Sequence, residues 1–457
     1  MELITLIPAI ACIYVIFRRG TPAAFLYVFL PVLLLLPTYF WFALRPLPSI
    51  NFVDAALLPL GAGMVLFNIS RWKFTRTDLW MLVFLFTSGY AEHRMGLTTN
   101  SAFSYFAALV TGLIPYMAGK LLIEQTGSRI KVLKIFVWCL TISSFPSSYE
   151  YFFKRNPYGP FWNHFYPSQW STWVTQVRWG FGRVAGPYSQ SENAGMIVLA
   201  AWLMSLWLGR NNYQEDEART PPPTLLKHGR RHIWILFVAL FMTQARGPWI
   251  GALLGVSVAA IGRARKPLRR AIIVGSLVFL IGAPLYVFGK DYLSGPRKNY
   301  GSEKETAQYR AELLDNYIPV AKKGGPWGWG LGFPKIGGQD SIDNEYLLVW
   351  IVQGYVGVIA LILLMLETVG RLILETVRAR TVRDRHFFLT LLGIVVAIAF
   401  TLSTVFLGSQ SYEVLFVLIG WTQALRQPRV QVTQIKNEEL YRARSDTSDT
   451  SLARVYS

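Results

Sequence analysis

Cysteine occurs only twice in the 457 residues, at Cys12 and Cys139, each inside an apolar run. Two such positions build no disulfide framework, and buried small hydrophobes account for them. The five histidines are scattered and show no metal-ligand spacing, so neither a metal nor a cofactor is expected. Charge is scarce too, at 16% of the chain, against about 25% in a soluble globular protein. Acidic residues are the rarer sign, 26 against 45 Lys and Arg, for a net charge of +19. Those basic residues sit mostly in short loops between apolar segments, where they set membrane orientation, so no nucleic-acid partner is expected. The N-terminus, MELITLIPAIACIYVIFRRG, has no basic residue ahead of its apolar run. It reads as a first helix entering the cytoplasm from outside rather than as a cleavable signal peptide.

Apolar residues fill the space that charge leaves. They make up 53% of the chain, aromatics 15%, and the mean hydropathy is +0.34. Stretches long enough to span a bilayer, about 17–25 residues, recur along the whole length. They fall at 2–17, 21–43, 50–69, 78–92, 102–123, 132–147, 191–209, 232–245, 247–262, 271–289, 344–369, 387–407 and 412–426. Alternate loops are basic. One set holds Arg18/Arg19, Arg71/Lys73/Arg76, Arg129/Lys131/Lys134, Lys227/Arg230/Arg231, 263–270 and 371–385. The other set of short loops carries only Arg45, Arg94 and Arg246. The expectation is an all-α polytopic membrane protein with about thirteen helices (twelve to fourteen), N-terminus outside and C-terminus in the cytoplasm.

This division gives N-terminal helices at 1–147, an aromatic outer loop at 148–190 and central helices at 191–289. A second outer loop at 290–343, C-terminal helices at 344–426 and a tail at 427–457 complete it. The tail and the inner segment 211–228 have the composition of disordered chain. Within the second outer loop, Tyr309, Leu313 and Tyr317 recur at i, i+4 and i+8, which predicts a short amphipathic helix, and GGPWGWGLGFP closes the loop with turn residues.

Four polar signals stand on the outer side of this ladder: Arg183 in GRVAGPYSQSEN, Arg246 in TQARGPWIG, Arg310 in YRAELL, and Asp343-Asn344 in SIDNEYL. Ionisable residues at a bilayer are costly and mark functional sites, and four on one face suit a large lipid-bound anion. Each also has a plainer reading. Arg246, at a hairpin whose bend is expected at Gly247-Pro248, could snorkel to the interface. Arg183 could be a solvated loop residue and Arg310 the wet face of its helix. Ser191 or Glu192 opens a helix whose N-terminus is itself an anion site. Asn193 could cap or bridge helices, and Asp343 could cap the long span that follows.

In order and spacing these pieces are similar to the O-antigen ligase and polymerase superfamily. RVAG with Asn193, QARGPWIG, YRAELL leading to GPWGWGLG, and DNEYLLVWIVQGYVG carry the resemblance, over roughly 180–370. It implies a GT-C-like membrane fold in the bacterial cytoplasmic (inner) membrane. It implies an inverting, metal-independent transfer of a glycan from a polyprenyl-diphosphate donor to a glycan or lipid-linked acceptor, on the outer face and among membrane lipid. Carried over residue by residue, Arg183, Arg246 and Arg310 bind the diphosphate, Asp343 and Arg246 are catalytic, and Asn193, Asn344 and Glu345 support them. The family's ligases commonly carry His where this chain has Asp343, which leans the reading toward a polymerase or exopolysaccharide enzyme.

The residues agree with that chemistry. Charge grows on a departing diphosphate, and preorganised arginines stabilise it best where water is scarce. The acceptor hydroxyl needs a base, for which Asp343 is first and Glu345 second. The competing class is a transporter or flippase. Transporters place coupling charges near the bilayer midplane and often show inverted repeats. Here the central spans carry few charges, and the charged set lies at one face.

Overall fold

A computed structural model of the chain describes residues 2–43, 48–167, 169, 174–210, 230–276, 280, 302–337 and 341–425. The inner segment 211–228, the start of the second outer loop, Arg45, most of 277–289 and the tail lie outside the described residues. The helices are α1 (Ile7–Arg19), α2 (Thr21–Leu35), α3 (Phe52–Phe67), α4 (Arg76–Arg94), α5 (Thr98–Leu122), α6 (Arg129–Phe153) and α7 (Tyr158–Asn163). They continue as α8 (Ser191–Arg210), α9 (Arg230–Met242), α10 (Arg246–Gly262), α11 (Ser302–Gly324), α12 (Glu345–Arg378), α13 (Val382–Leu402) and α14 (Ser409–Ala424). A further helix covers 267–276. Strands are confined, among the described residues, to two hairpins of two-residue strands: β1 (Trp41–Phe42) with β2 (Ile50–Asn51), and β3 (Val177–Arg178) with β4 (Phe181–Gly182).

The chain is an all-α membrane protein. Five helices, α5, α6, α8, α12 and α13, are long and apolar enough to cross a membrane, and α2, α3 and α10 are shorter apolar helices. Helices lie over twelve of the expected spans, and the described residues of the span at 271–289, which are 271–276 and Leu280, are helical.

Glycines set the tightest packing. On α10, Gly247, Gly251 and Gly255 repeat every fourth residue and form one stripe, which faces α13 and the Thr404 turn after it. A methyl on Gly255 would stand 2.7 Å from the Gly393 carbonyl oxygen, and one on Gly251 2.8 Å from that of Ala397. Small residues let two membrane helices approach to backbone contact.

α12 is broken. Gly354 has φ +72 within it, a conformation that only glycine adopts cheaply. The loop after α11 fills the break: Trp329 N donates to Ile351 O at 2.9 Å, Val356 N to Pro326 O at 3.1 Å and Tyr355 N to Gly325 O at 3.2 Å. Backbone groups freed by a broken helix in a membrane need partners of this kind.

Ion pairs pin the opposite ends of the helices. Lys120 Nζ meets Asp78 at 2.6 Å with both side chains buried, and lies 4.2 Å from the Trp72 ring centroid. Arg129 bridges Glu124 at 2.8 Å and Asp384 at 2.6 Å.

Three expectations change. α6 runs to Phe153 rather than ending at 147, so the loop expected at 148–190 starts later. The amphipathic helix is 23 residues long, not short. It does present one stripe, in which Leu313 and Tyr317 pack with Ile342, Leu347 and Ile351. The hairpin before α10 turns at Thr243–Ala245, with Gln244 at φ +49, and not at Gly247-Pro248. Proline is tolerated in the first turn of a helix because its missing N–H has no partner there anyway.

Candidate functional site

Three helices begin at one place. α8 starts at Ser191, α10 at Arg246 and α12 at Glu345, and the 403–408 segment between α13 and α14 touches all three. Gly408 N donates to Asn193 Oδ1 at 3.3 Å. Leu407 N donates to Glu345 Oε2 at 2.7 Å. Gly247 lies so near Thr404 that a methyl would stand 2.2 Å from its Oγ1. The first turns of α8 and α10 also meet directly, Gly195 against Pro248. Each helix start offers unpaired N–H groups and the positive end of its dipole. Three together make a favourable place for an anion.

Arg183 is buried beside them. Its guanidinium donates to Gln176 Oε1 and to Glu192 Oε1, while its Nε is buried with no hydrogen-bond partner among the described residues. It borders a cavity of about 180 Å3 shared with Glu150, Ser189, Ser191 and Glu192. Glu150 shapes this wall by accepting from Gly186 N at 2.8 Å, Ala185 N at 3.0 Å and Thr175 Oγ1 at 3.0 Å. Burial raises the pKa of the neighbouring Tyr158 phenol, the Ser143 hydrogen bond opposing, so that group keeps its proton.

The β3–β4 hairpin carries Arg183 to Arg246. Val184 N donates to Met242 O at 3.3 Å and Arg178 Nη1 to Gln244 O at 2.8 Å. Arg246, the exposed first residue of α10, lies 5.9 Å from the Trp179 ring centroid at the hairpin tip. Cation–π contact of this kind helps to orient a guanidinium.

Tyr309, beside Arg310 in the chain, ties α11 to the segment that carries Asp343. Tyr309 OH donates to Ser341 O, and Ser341 Oγ donates to Asp343 Oδ1 at 2.7 Å. Arg310, next to that tyrosine, has a buried Nε with no hydrogen-bond partner among the described residues. Asp343 is half-buried and does not cap α12; Asn344 does, accepting from Leu347 N at 3.0 Å. Glu345 is 1% exposed, with one oxygen on Leu407 N and the other on Tyr412 OH. Its geometry is that of a strut for the 403–408 segment.

Glu92, Glu150 and the partnership of Glu192 with Arg183 are additions to the residues read from sequence. Glu92 is 1% exposed, accepts from Leu331 N in the glycine-rich loop, and keeps Oε2 without a hydrogen bond among the described residues. Lone acidic residues in apolar segments were the available signal.

A comparison with curated proteins finds no match. Residues 232–362, from α9 into α12, match the family model described as O-antigen ligase. Arg246, Arg310, Asp343, Asn344 and Glu345 fall inside that segment, while Arg183 and Asn193 precede it. The match supports a membrane polysaccharide ligase or polymerase with lipid-linked glycan substrates. The resemblance to the O-antigen ligase and polymerase superfamily is therefore borne out, on the segment 232–362.

Proposed function

We propose that the chain transfers a glycan from a polyprenyl-diphosphate donor to a sugar hydroxyl on the outer face of the cytoplasmic membrane, as a polysaccharide polymerase or ligase. The observation that carries this reading is the meeting of the α8, α10 and α12 N-termini beside Arg183 and Arg246. Helix ends and guanidinium groups both suit phosphate oxygens, and Arg does so with a planar, two-pronged grip.

In the proposed step the acceptor oxygen attacks the anomeric carbon on the face away from the diphosphate. The new C–O bond forms as the bond to the diphosphate oxygen breaks, which inverts that carbon. The acceptor proton passes to the Asp343 carboxylate, and the electron pair leaves with the diphosphate. Arg183, Arg246 and Arg310 take up its growing charge without a metal. Ser341 orients Asp343, Asn344 holds the helix start behind it, and Asn193 and Glu345 fix the 403–408 segment.

The test is the lipid fraction of a strain lacking the gene. Accumulation of polyprenyl-diphosphate-linked glycan together with loss of the polymer or ligated product is expected. An unchanged lipid-linked pool with normal product would contradict the reading.

A further inference from the structure

At their other ends α8 and α10 border a cavity of a different design. The C-terminal ends of α8 and α10, the start of α9 and the helix at 267–276 surround a cavity of about 1110 Å3. A helix of 20 residues like α8 puts it about 30 Å from the first site, at 1.5 Å per residue. Six cations line it: Arg230, Arg263, Arg265, Lys266, Arg269 and Arg270, with no acidic residue in the lining among the described residues. Arg263 is anchored, donating to Thr390 Oγ1 at 2.7 Å, whereas Arg265, Lys266, Arg269 and Arg270 are exposed. The wall toward the helices is apolar, built by Leu206, Trp234, Val256 and Ile273. Trp234 is 67% and Ile273 49% exposed.

We propose that this cavity binds an anionic phospholipid of the inner leaflet. The cations take the phosphate oxygens and the apolar wall takes the first part of the acyl chains. Basic pockets between membrane helices on the cytoplasmic side suit such headgroups. A free phosphate would use the cations and leave the apolar wall without a role. The inference does not depend on glycan transfer. It rests on the basic loops facing inside and on this cavity alone.

The test is native mass spectrometry of the purified full-length chain with phosphatidylglycerol, cardiolipin or phosphatidylethanolamine. Two variants accompany it: the fourfold Arg265→Gln, Lys266→Gln, Arg269→Gln, Arg270→Gln, and Ala260→Trp, which fills the cavity from its lining with all charges kept. The anionic lipids should bind at least about tenfold more tightly than phosphatidylethanolamine. Each basic residue near a lipid surface contributes about a fivefold factor in binding, so the fourfold variant should lose roughly a hundredfold or more. Ala260→Trp should lose most of the preference, and it decides the matter if the fourfold variant does not fold. Millimolar inorganic phosphate should not displace the lipid. Equal binding of phosphatidylethanolamine, unchanged binding in Ala260→Trp, or displacement by inorganic phosphate, which would mark a simple anion site, overturns the proposal. Transfer activity is not the readout, so failure here leaves the reading of the outer site untouched, and the converse holds.

Discussion

Arg183 and Arg246 carry the same group in different settings, and their substitutions should fail in different ways. Arg183 is buried and pairs with Glu192. Its removal strands a partly buried carboxylate, so Arg183→Ala should lose stability as well as activity. Arg246 is exposed at a helix start. Arg246→Lys should keep the melting temperature while transfer falls more than about tenfold, or about 1.4 kcal/mol, because the two-pronged grip is lost and the charge kept. Melting curves beside initial rates separate the two, and an Arg246→Lys enzyme of normal rate would remove this arginine from the clamp. Asp343 permits a cleaner substitution than the sequence promised. Asn344 caps α12, so Asp343→Asn leaves the helix intact and removes only the proton acceptor. Its rate should drop by roughly two to four orders of magnitude, with partial activity in Asp343→His. Full activity in Asp343→Asn would leave this carboxylate without a role as base.

At the scale of elements, hydropathy locates α12 but not its break. The break at Gly354 is completed by Gly325, Pro326 and Trp329, which arrive from another part of the chain, so no local pattern announces it. Gly328, at φ +73, presses on the Val352 carbonyl, and a methyl there would stand 2.4 Å from its oxygen. Gly328→Ala should therefore cost at least about 1–3 kcal/mol of backbone strain, read as a lower melting temperature. A variant as stable as the wild type would show that the loop does not clamp the helix. The turn before α10 misleads for a related reason. Gly247 and Pro248 look like a bend, yet the glycine serves contact with Thr404 and the proline sits harmlessly in the first helical turn. The stripe of Gly247, Gly251 and Gly255 took the structure to recognise, and Gly255→Leu should part α10 from α13 and lower expression of folded protein. Glu92 and Glu150 were harder to find, since each is a lone acid whose partners are backbone N–H groups of distant loops.

For the whole molecule, charge placed along the chain foreshadows how its ends are sorted. Of the arginines read as a diphosphate site, Arg183 pairs with the first turn of α8, Arg246 starts α10 and Arg310 lies on α11, while basic loops follow the other ends of α8, α10 and α12. What sequence does not reveal is the way three helix starts share one segment. Asn193, Gly247 and Glu345 are far apart in the chain, and 403–408 carries no charge to draw notice. The sidedness itself is open to a direct check. Cys12 and Cys139 are buried, so single cysteines at Lys335 and Thr381 give a clean background. In intact cells an impermeant maleimide should label Lys335→Cys and spare Thr381→Cys; the reverse pattern would turn the molecule over and move the site to the wrong side. The central claim, transfer from a diphosphate-linked lipid, is tested most directly by the purified protein in liposomes. Given polyprenyl-diphosphate-linked glycan and an acceptor sugar, the wild type should form the longer glycan and release polyprenyl diphosphate in equal amount, and Asp343→Asn should do neither. Intact donor and no new glycosidic bond with the wild type, across acceptors, would contradict it.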